Sequence, residues 1–74
     1  MLQNMGFITN KQFGKSIKKY RKKARLTIEE AALKSGIRPK YYKRIEEGTA
    51  IRLTVRHMLN ILDIYGIELK IESL

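Results

Sequence analysis

The sequence predicts a mainly α fold of four or five short helices, followed by one β-strand near the C-terminus. Three observations support this prediction. Thr9 and Thr27 are each followed three residues later by Gln or Glu, which is the spacing of a helix capping box. Apolar residues recur at helical spacing between residues 13 and 65. From Ile67 onward, apolar and charged residues alternate, which is the period of a half-buried strand.

The first helix is predicted from about Asn10 to about Ala24. Thr9 and Gln12 form its capping box, in which the hydroxyl and the amide satisfy backbone donors at the helix start. Its apolar residues at helical spacing are Phe13, Ile17, Tyr20 and Ala24, and its outer face carries Lys15, Lys18, Lys19, Lys22 and Lys23.

The second helix is short. Thr27 and Glu30 form its capping box, and Ala31 and Ala32 favour its continuation to Ser35. Gly36 then supplies the left-handed conformation that ends a helix.

The third helix begins at Arg38 or Pro39. Proline suits the first helical position because the missing N–H would have no intrahelical partner there. The apolar residues Tyr42 and Ile45 are three apart, and Gly48 ends the helix after Glu47.

The fourth helix is predicted to start at a Thr54 cap and to end at Gly66. Its expected inner face consists of Val55, Met58, Leu59, Leu62 and Tyr65.

The strand predicted for residues 67–72 has no obvious partner in the chain, and an isolated strand leaves both edges unpaired. The simplest arrangement pairs it with the same strand of a second copy, because antiparallel pairing of identical strands suits a two-fold axis. The residues at this homodimer contact are Ile67, Leu69 and Ile71. Two alternatives stay open: a frayed amphipathic tail, or a strand packed on residues 5–8.

The positive charge of the chain is concentrated in one region. The 74 residues carry 16 Lys and Arg against 7 Asp and Glu, a net charge of +9. Residues 11–56 hold fifteen of the basic residues and four of the acidic ones, a net of +11, whereas residues 57–74 have a net of −2. Such segregation indicates a surface for a polyanion, most simply nucleic acid phosphates, with a solvated basic surface as the alternative.

Several classes of function are excluded by composition. The chain has no cysteine and one histidine, so disulfides, thiolate-bound metals and a His-based metal site are not expected, and no cofactor is predicted. Neither a nucleophile–base pair nor a glycine loop for phosphates is evident, so an enzyme is not expected. No apolar run approaches the ~20 residues of a membrane span, and no signal peptide is evident. We therefore expect a cytoplasmic protein that does not associate with membranes.

The second and third helices, joined by Gly36 and Ile37, have the form of a helix-turn-helix. The run from Leu26 to Ile37, followed by the run from Tyr41 to Gly48, resembles the lambda-repressor-like, Cro/C1-type (XRE) helix-turn-helix family. The resemblance covers about residues 13–67. It implies a lambda-repressor-like fold in which the third helix is the recognition helix of a DNA-binding domain. Tyr42 matches a core position of the family and Glu46 a structural one.

Two residues depart from the family pattern and shift the expected base contacts. Ile28 replaces a common Gln, so a phosphate contact is expected to be absent there. Pro39 stands where relatives often place a base-reading side chain, and it offers no donor. Base reading is therefore assigned to the outward face and the N-terminal tip of the third helix, at Arg38, Lys40, Lys43 and Arg44.

Contacts to the DNA backbone are expected around the recognition helix. The amides at the start of the second helix favour anions, and basic or polar side chains flank the motif. The predicted backbone contacts are Lys15, Lys19, Arg25, Thr27, Tyr41, Thr49 and Arg52.

The tail, from Thr54 to Tyr65 and on to Ile71, is similar to the last helix and terminal strand of HipB-like antitoxins. This resemblance implies a dimeric repressor that autoregulates a toxin–antitoxin operon, binds an inverted-repeat operator in double-stranded DNA and associates with a HipA-type kinase toxin. Three alternatives stay open: a stand-alone or phage-type regulator with no toxin, a helix-turn-helix module that binds other proteins, and an RNA-binding basic domain.

The predicted organisation of the chain has three parts. Residues 1–9 are an N-terminal extension, residues 10–66 the DNA-binding domain and residues 67–74 the dimerisation strand.

Overall fold

The computed structural model describes residues 9–67, which form four α-helices. These are α1 (Asn10–Lys23), α2 (Ile28–Ser35), α3 (Pro39–Glu47) and α4 (Val55–Ile64). The prediction of a mainly helical domain is confirmed. Of the predicted strand, only Ile67 is among the described residues, so the strand and its pairing in a dimer lie outside them.

Three of the four helices start on a threonine cap. The hydroxyls of Thr9, Thr27 and Thr54 each accept a hydrogen bond from the amide three residues later, at 3.0, 3.0 and 3.1 Å. At α1 and α2 the predicted capping boxes are complete, because the side chains of Gln12 and Glu30 bond back to the threonine amides. These local bonds fix where the helices begin without help from tertiary contacts.

The four helices share one kind of C-terminal backbone turn, the Schellman motif. After α2, for example, the Ile37 amide donates to the Ala32 carbonyl, five residues earlier, and the Gly36 amide donates to the Leu33 carbonyl, three residues earlier. The other three helices end with the same pair of bonds. Three of these turns place a glycine in the left-handed conformation, as at Gly36, whose φ is 70°. The turn after α1 instead uses Arg25, with a φ of 61°. Ala24 precedes that turn and is exposed, so it is not part of the apolar face predicted for α1.

The core lies between all four helices, and its largest fully buried side chains are Ile17, Tyr42, Ile45 and Ile61. Helix α1 packs on α3, and α2 packs on both α3 and α4. The two helices α1 and α3 meet at Gly14, where a Cβ would lie 2.3 Å from the carbonyl oxygen of Ile45. This glycine therefore sets how closely α1 approaches the C-terminal half of α3.

The predicted inner face of α4 is wrong at Val55 and Leu59, and it omits Ile61. Val55 is 61% exposed, whereas Ile61, which was not predicted to face inward, is fully buried. Val55 is the first residue of the helix, and the buried residues of α4, Ile61 and Leu62, lie in its second half. Leu59 is half-buried but lies outside the core, and the inward row is Met58, Ile61, Leu62 and Tyr65, at helical spacing.

Within residues 9–67, no helix is both long enough and apolar enough to cross a membrane.

Candidate nucleic-acid interface

Helices α2 and α3 form a helix-turn-helix around the turn at Gly36. The turn is closed by the bond from the Ile37 amide to the Ala32 carbonyl, at 2.9 Å. Ala31 and Ala32 are fully buried, and their small side chains allow α2 to lie close to its neighbours. The two alanines that favour continuation of α2 therefore also serve its packing.

Helix α3 has one buried side and one charged side. Tyr42, Ile45 and Glu46 point into the core. The helical period places the remaining basic residues on the outer side. This outer side and its N-terminal tip hold the four predicted base-reading residues, Arg38, Lys40, Lys43 and Arg44, all of them exposed. We call these four residues the recognition surface.

An open groove of about 490 Å³ lies between the start of α2 and the first half of α3. It is lined by Arg21, Thr27, Ile28, Glu29, Pro39, Lys40 and Lys43. Pro39 and Lys40, the first residues of α3, line this groove, and the helix starts there without a side-chain cap because Arg38 makes no capping bond. The groove therefore brings Lys40 and Lys43 together with the amides at the start of a helix, an environment that suits a phosphate.

Thr27 and Thr49, two predicted backbone contacts, are both exposed. The hydroxyl of Thr27 accepts the Glu30 amide, which leaves its proton free to be donated. Glu30 and Glu29 already place negative charge at this helix start, where it offsets the helix dipole. A phosphate at Thr27 would have to approach next to these carboxylates.

Tyr41 fixes the loop between α3 and α4. Its hydroxyl donates a hydrogen bond to the Ile51 carbonyl at 2.7 Å, and its ring meets His57 edge-on with centroids 5.5 Å apart. The half-buried Tyr41 thereby holds the segment that presents Arg52. Its predicted role as a backbone contact stays a prediction, and its hydroxyl proton is engaged within the chain.

Arg25 and Arg52 have an unusual backbone conformation. Their φ values are 61° and 62°, in the region that favours glycine. Both side chains are exposed, and both are predicted to contact the DNA backbone. A non-glycine residue in this conformation costs about 1–2 kcal/mol of stability, so the backbone at each of these two arginines is strained.

Lys15 and Lys19 occupy a different part of the molecule. They lie on the outer face of α1, away from the buried residues Phe13, Gly14 and Ile17 that face α3. The structure therefore does not bring them together with the recognition surface. They stay predicted backbone contacts, on a separate side of the domain.

An ion pair between α1 and α3 supports the recognition helix from behind. Nε of Arg21 lies 2.6 Å from Oε2 of Glu46, and Nη2 lies 3.1 Å from Oε1. A third donor, Nη1, bonds to the Leu26 carbonyl at 2.9 Å. The hydrogen bonds that Arg21 donates to the Glu46 carboxylate raise the pKa of Arg21 above its ordinary value. Glu46 thus pairs with Arg21, which agrees with the structural role predicted for it.

The role of Arg21 was missed at the level of sequence, although a signal was present. Arg21 continues the row Phe13, Ile17 at intervals of four, so a charged residue falls on the inner face of a helix. Glu46 likewise follows Tyr42 by four residues on the inner face of α3. Opposite charges on two buried faces predict an ion pair, because a buried charge requires a partner.

A tyrosine cluster joins the end of α4 to the other helices. The hydroxyls of Tyr42 and Tyr65 lie 2.7 Å apart, and the rings of Tyr65 and Tyr20 have centroids 6.0 Å apart. Burial, with the bond to Tyr65 as the next cause, raises the pKa of Tyr42 far above its usual range. Burial also raises the pKa of Tyr65. Both phenols therefore stay protonated in the folded domain.

The fold and the exposed basic helix define a DNA-binding helix-turn-helix domain. A helix-turn-helix family model of the Cro/C1 type matches residues 17–71, which is more than half of the chain. The chain thus belongs to the Cro/C1-type helix-turn-helix family, and this membership indicates a DNA-binding transcription regulator. No curated protein matches the chain closely enough to count as a relative.

Proposed function

We propose that the protein is a homodimeric transcriptional repressor that binds an inverted-repeat operator. The observation that supports this most directly is the recognition surface. Arg38, Lys40, Lys43 and Arg44 are exposed together on one side of a helix whose other side is buried. A helix held in this way enters the major groove as a rigid unit, with Arg44 able to bond O6 and N7 of a guanine.

The dimer is proposed from the alternating pattern of the tail. Ile67 is half-buried and packs against the core of its own domain. Leu69 and Ile71 then continue the alternation. In a two-fold dimer, two recognition helices reach successive major grooves about 34 Å apart, which requires half-sites about one helical turn apart.

The antitoxin role rests on the similarity of α4 and the tail to HipB-like antitoxins. In this role, we propose that the protein partner is a HipA-type kinase toxin and that the operator lies in the promoter of the toxin–antitoxin operon. The test is to identify the gene next to this one and to co-express the two proteins. A stable complex with a kinase-like product supports the antitoxin role, whereas an unrelated neighbour that forms no complex indicates a stand-alone regulator.

Operator binding is tested by fluorescence anisotropy with the upstream DNA of the protein's own gene and a scrambled duplex of equal length. At about 0.15 M salt we expect a clear preference for the upstream DNA. Arg44→Ala is expected to lower that preference by about ten- to a hundred-fold, since a bidentate base contact contributes ~1–3 kcal/mol of discrimination. Lys34→Ala removes an equal charge from exposed α2 and serves as the control. Equal affinity of the wild-type protein for both duplexes would reject the proposal.

A helix-turn-helix used mainly to bind another protein is the second candidate function. One observation favours it: Leu33 on α2 is 82% exposed, so a large apolar side chain is available for contact with another protein. Reversing the charges of Lys40 and Arg44 separates the two functions. Loss of binding to a protein partner, in a protein that never preferred its upstream DNA, identifies an interaction module.

A further inference from the structure

The outer face of α1 is a second basic surface that the proposed operator binding does not use. It consists of Lys11, Lys15, Lys18, Lys19, Lys22 and Lys23, all exposed, and we call it the lysine face. No acidic residue occurs anywhere in α1. A shallow groove of about 500 Å³, lined by Gln12, Lys15, Ser16 and Lys19, runs along it.

Lys15 and Lys19, at the centre of the lysine face, lie on the opposite side of α1 from α3, whereas Lys11, at one end of the face, lies against Gly48 at the end of α3. The buried residues of α1 face α3, and Gly14 abuts the carbonyl oxygens of Ile45 and Glu46 at the back of α3. The recognition surface lies on the front of α3. Since packed helices are ~8–10 Å apart, both helices separate Lys15 and Lys19 from a duplex held at the front of α3.

The fold alone does not account for the lysine face. Lys11 and Lys15, Lys15 and Lys19, and Lys18 and Lys22 are spaced four residues apart, where like charges repel and destabilise a helix. Lys11 also lies in the first turn, where the helix dipole disfavours a cation and where α1 has no acidic residue. Only the last-turn residues Lys22 and Lys23 are favoured by the dipole.

We propose that the lysine face binds the phosphate backbone of a second segment of double-stranded DNA while the recognition surface holds the operator. This inference rests on the proposed operator binding. Lys11 to Lys19 spans ~12 Å of helix, and duplex DNA carries a charge every ~1.7 Å of its axis, so several lysines meet phosphates at once. Lys15 and Lys19 then contact the backbone of this second segment.

Two features favour DNA over a membrane as the partner. A helix that binds a bilayer buries its apolar face among the lipids, and Phe13 and Ile17, the apolar face of α1, are already buried in the core. The lysine face itself presents no large apolar side chain. A row of cations without apolar anchors suits a highly charged, sequence-independent partner.

The test is a capture experiment. An immobilised operator duplex is saturated with the full-length protein and washed, and a labelled random duplex is added at about 0.1 M salt. The readout is the amount of labelled duplex retained per bound protein. The variant Lys15→Glu/Lys19→Glu is compared with Lys34→Glu/Arg56→Glu, which changes the net charge equally at exposed positions of α2 and α4. Circular dichroism checks folding, and Lys15→Gln/Lys19→Gln replaces the first variant if it does not fold.

We expect the wild-type protein to retain the second duplex, Lys15→Glu/Lys19→Glu to lower retention by about tenfold, and the control to lower it by less than about threefold. Equal losses in both variants, or no retention by the wild-type protein, would overturn the inference. So would binding to vesicles of three parts phosphatidylcholine to one part phosphatidylserine in place of the duplex.

A second arm separates this inference from the proposed function. In the Lys40→Ala/Arg44→Ala background, operator preference is lost, and binding of a random duplex is measured in solution. Retained binding that Lys15→Glu/Lys19→Glu abolishes supports the lysine face even if the wild-type protein shows no operator preference. Absence of any binding in this background overturns the lysine face, whatever the result for the operator.

Discussion

Arg21 on α1 and Glu46 on α3 form a nearly buried, bidentate ion pair, with side chains 12% and 4% exposed. The same guanidinium also bonds the Leu26 carbonyl, so one side chain joins α1, the turn before α2 and the recognition helix. Glu46 lies two residues from Arg44. The direction in which the recognition surface points therefore depends on a bond to a different helix.

Removing the carboxylate of Glu46 is expected to destabilise the domain strongly. Glu46→Ala leaves the Arg21 guanidinium without its anion inside the protein, which costs about 3 kcal/mol. Urea unfolding measures the loss. Glu47→Ala changes the exposed neighbour and should stay within about 0.5 kcal/mol of the wild-type protein. Equal effects of the two substitutions would show that the ion pair contributes nothing to stability.

Gly14→Ala is expected to destabilise the domain, although alanine normally favours a helix by ~1 kcal/mol over glycine. The new methyl group would lie 2.3 Å from the Ile45 carbonyl and 2.5 Å from the Glu46 carbonyl. Both are backbone atoms, so α1 and α3 must move apart, at a cost of about 1–3 kcal/mol. Thermal unfolding measures the effect. Ser16→Ala, at an exposed position of the same helix, should be neutral or stabilising, and a stable Gly14→Ala variant would contradict the close approach.

Arg25→Gly is expected to stabilise the domain by about 1 kcal/mol, because glycine adopts a φ of 61° without strain. If Arg25 contacts a phosphate, the same substitution weakens DNA binding, so stability and affinity move in opposite directions. Arg25→Ala removes the same charge and keeps the strain, so it should weaken DNA binding without stabilising the fold. Chemical denaturation and anisotropy on the same samples distinguish the two. Equal stabilities of the glycine and alanine variants would contradict the strain.

Alkaline pH is expected to destabilise the domain through the tyrosine cluster. The pKa of Tyr42 is raised by burial from an ordinary value of 10.0. Above about pH 10 the unfolded chain releases this proton while the folded chain keeps it. The unfolded state then binds fewer protons, so stability falls with rising pH by up to ~1.4 kcal/mol per pH unit for each such group.

Tyr42→Phe should therefore lower stability at pH 8, because Tyr65 loses its hydroxyl partner, and yet flatten the decline above pH 10. Urea unfolding at intervals from pH 8 to about pH 11.5 gives this slope. Tyr42→Phe/Tyr65→Phe removes both buried phenols and should flatten the decline further. A slope identical to that of the wild-type protein would mean that Tyr42 ionises as easily folded as unfolded.

The helices of the domain were predictable because residues close in sequence determine where each helix begins and ends. Thr9 and Thr27 with their Gln or Glu partners fix the starts, and Gly36 fixes the end of α2, all through bonds within five residues. The exposure of Lys40, Lys43 and Arg44 followed from the period of one helix. Such features need no knowledge of which helix meets which.

The features that were missed depend on contacts between distant parts of the chain. The partner of Glu46 is 25 residues away, and its pairing depends on how closely α1 approaches α3. The inward row of α4 contains Ile61 rather than Val55 because the buried part of this helix, at Ile61 and Leu62, is its second half, which packing with other helices decides. The placement of Lys15 and Lys19 behind the recognition helix likewise follows from the packing of α1 on α3.

The repeated Schellman turns have a consequence for how fast the chain folds. Each helix is between eight and fourteen residues long and is closed by backbone bonds that reach back no more than five residues. These C-terminal turns can form before any two helices meet. The slower formation of contacts between helices therefore begins with helices of nearly final length. Helical domains built on local contacts fold in ~microseconds to milliseconds. A newly made chain should therefore complete its helical domain well before any slower intermolecular step begins.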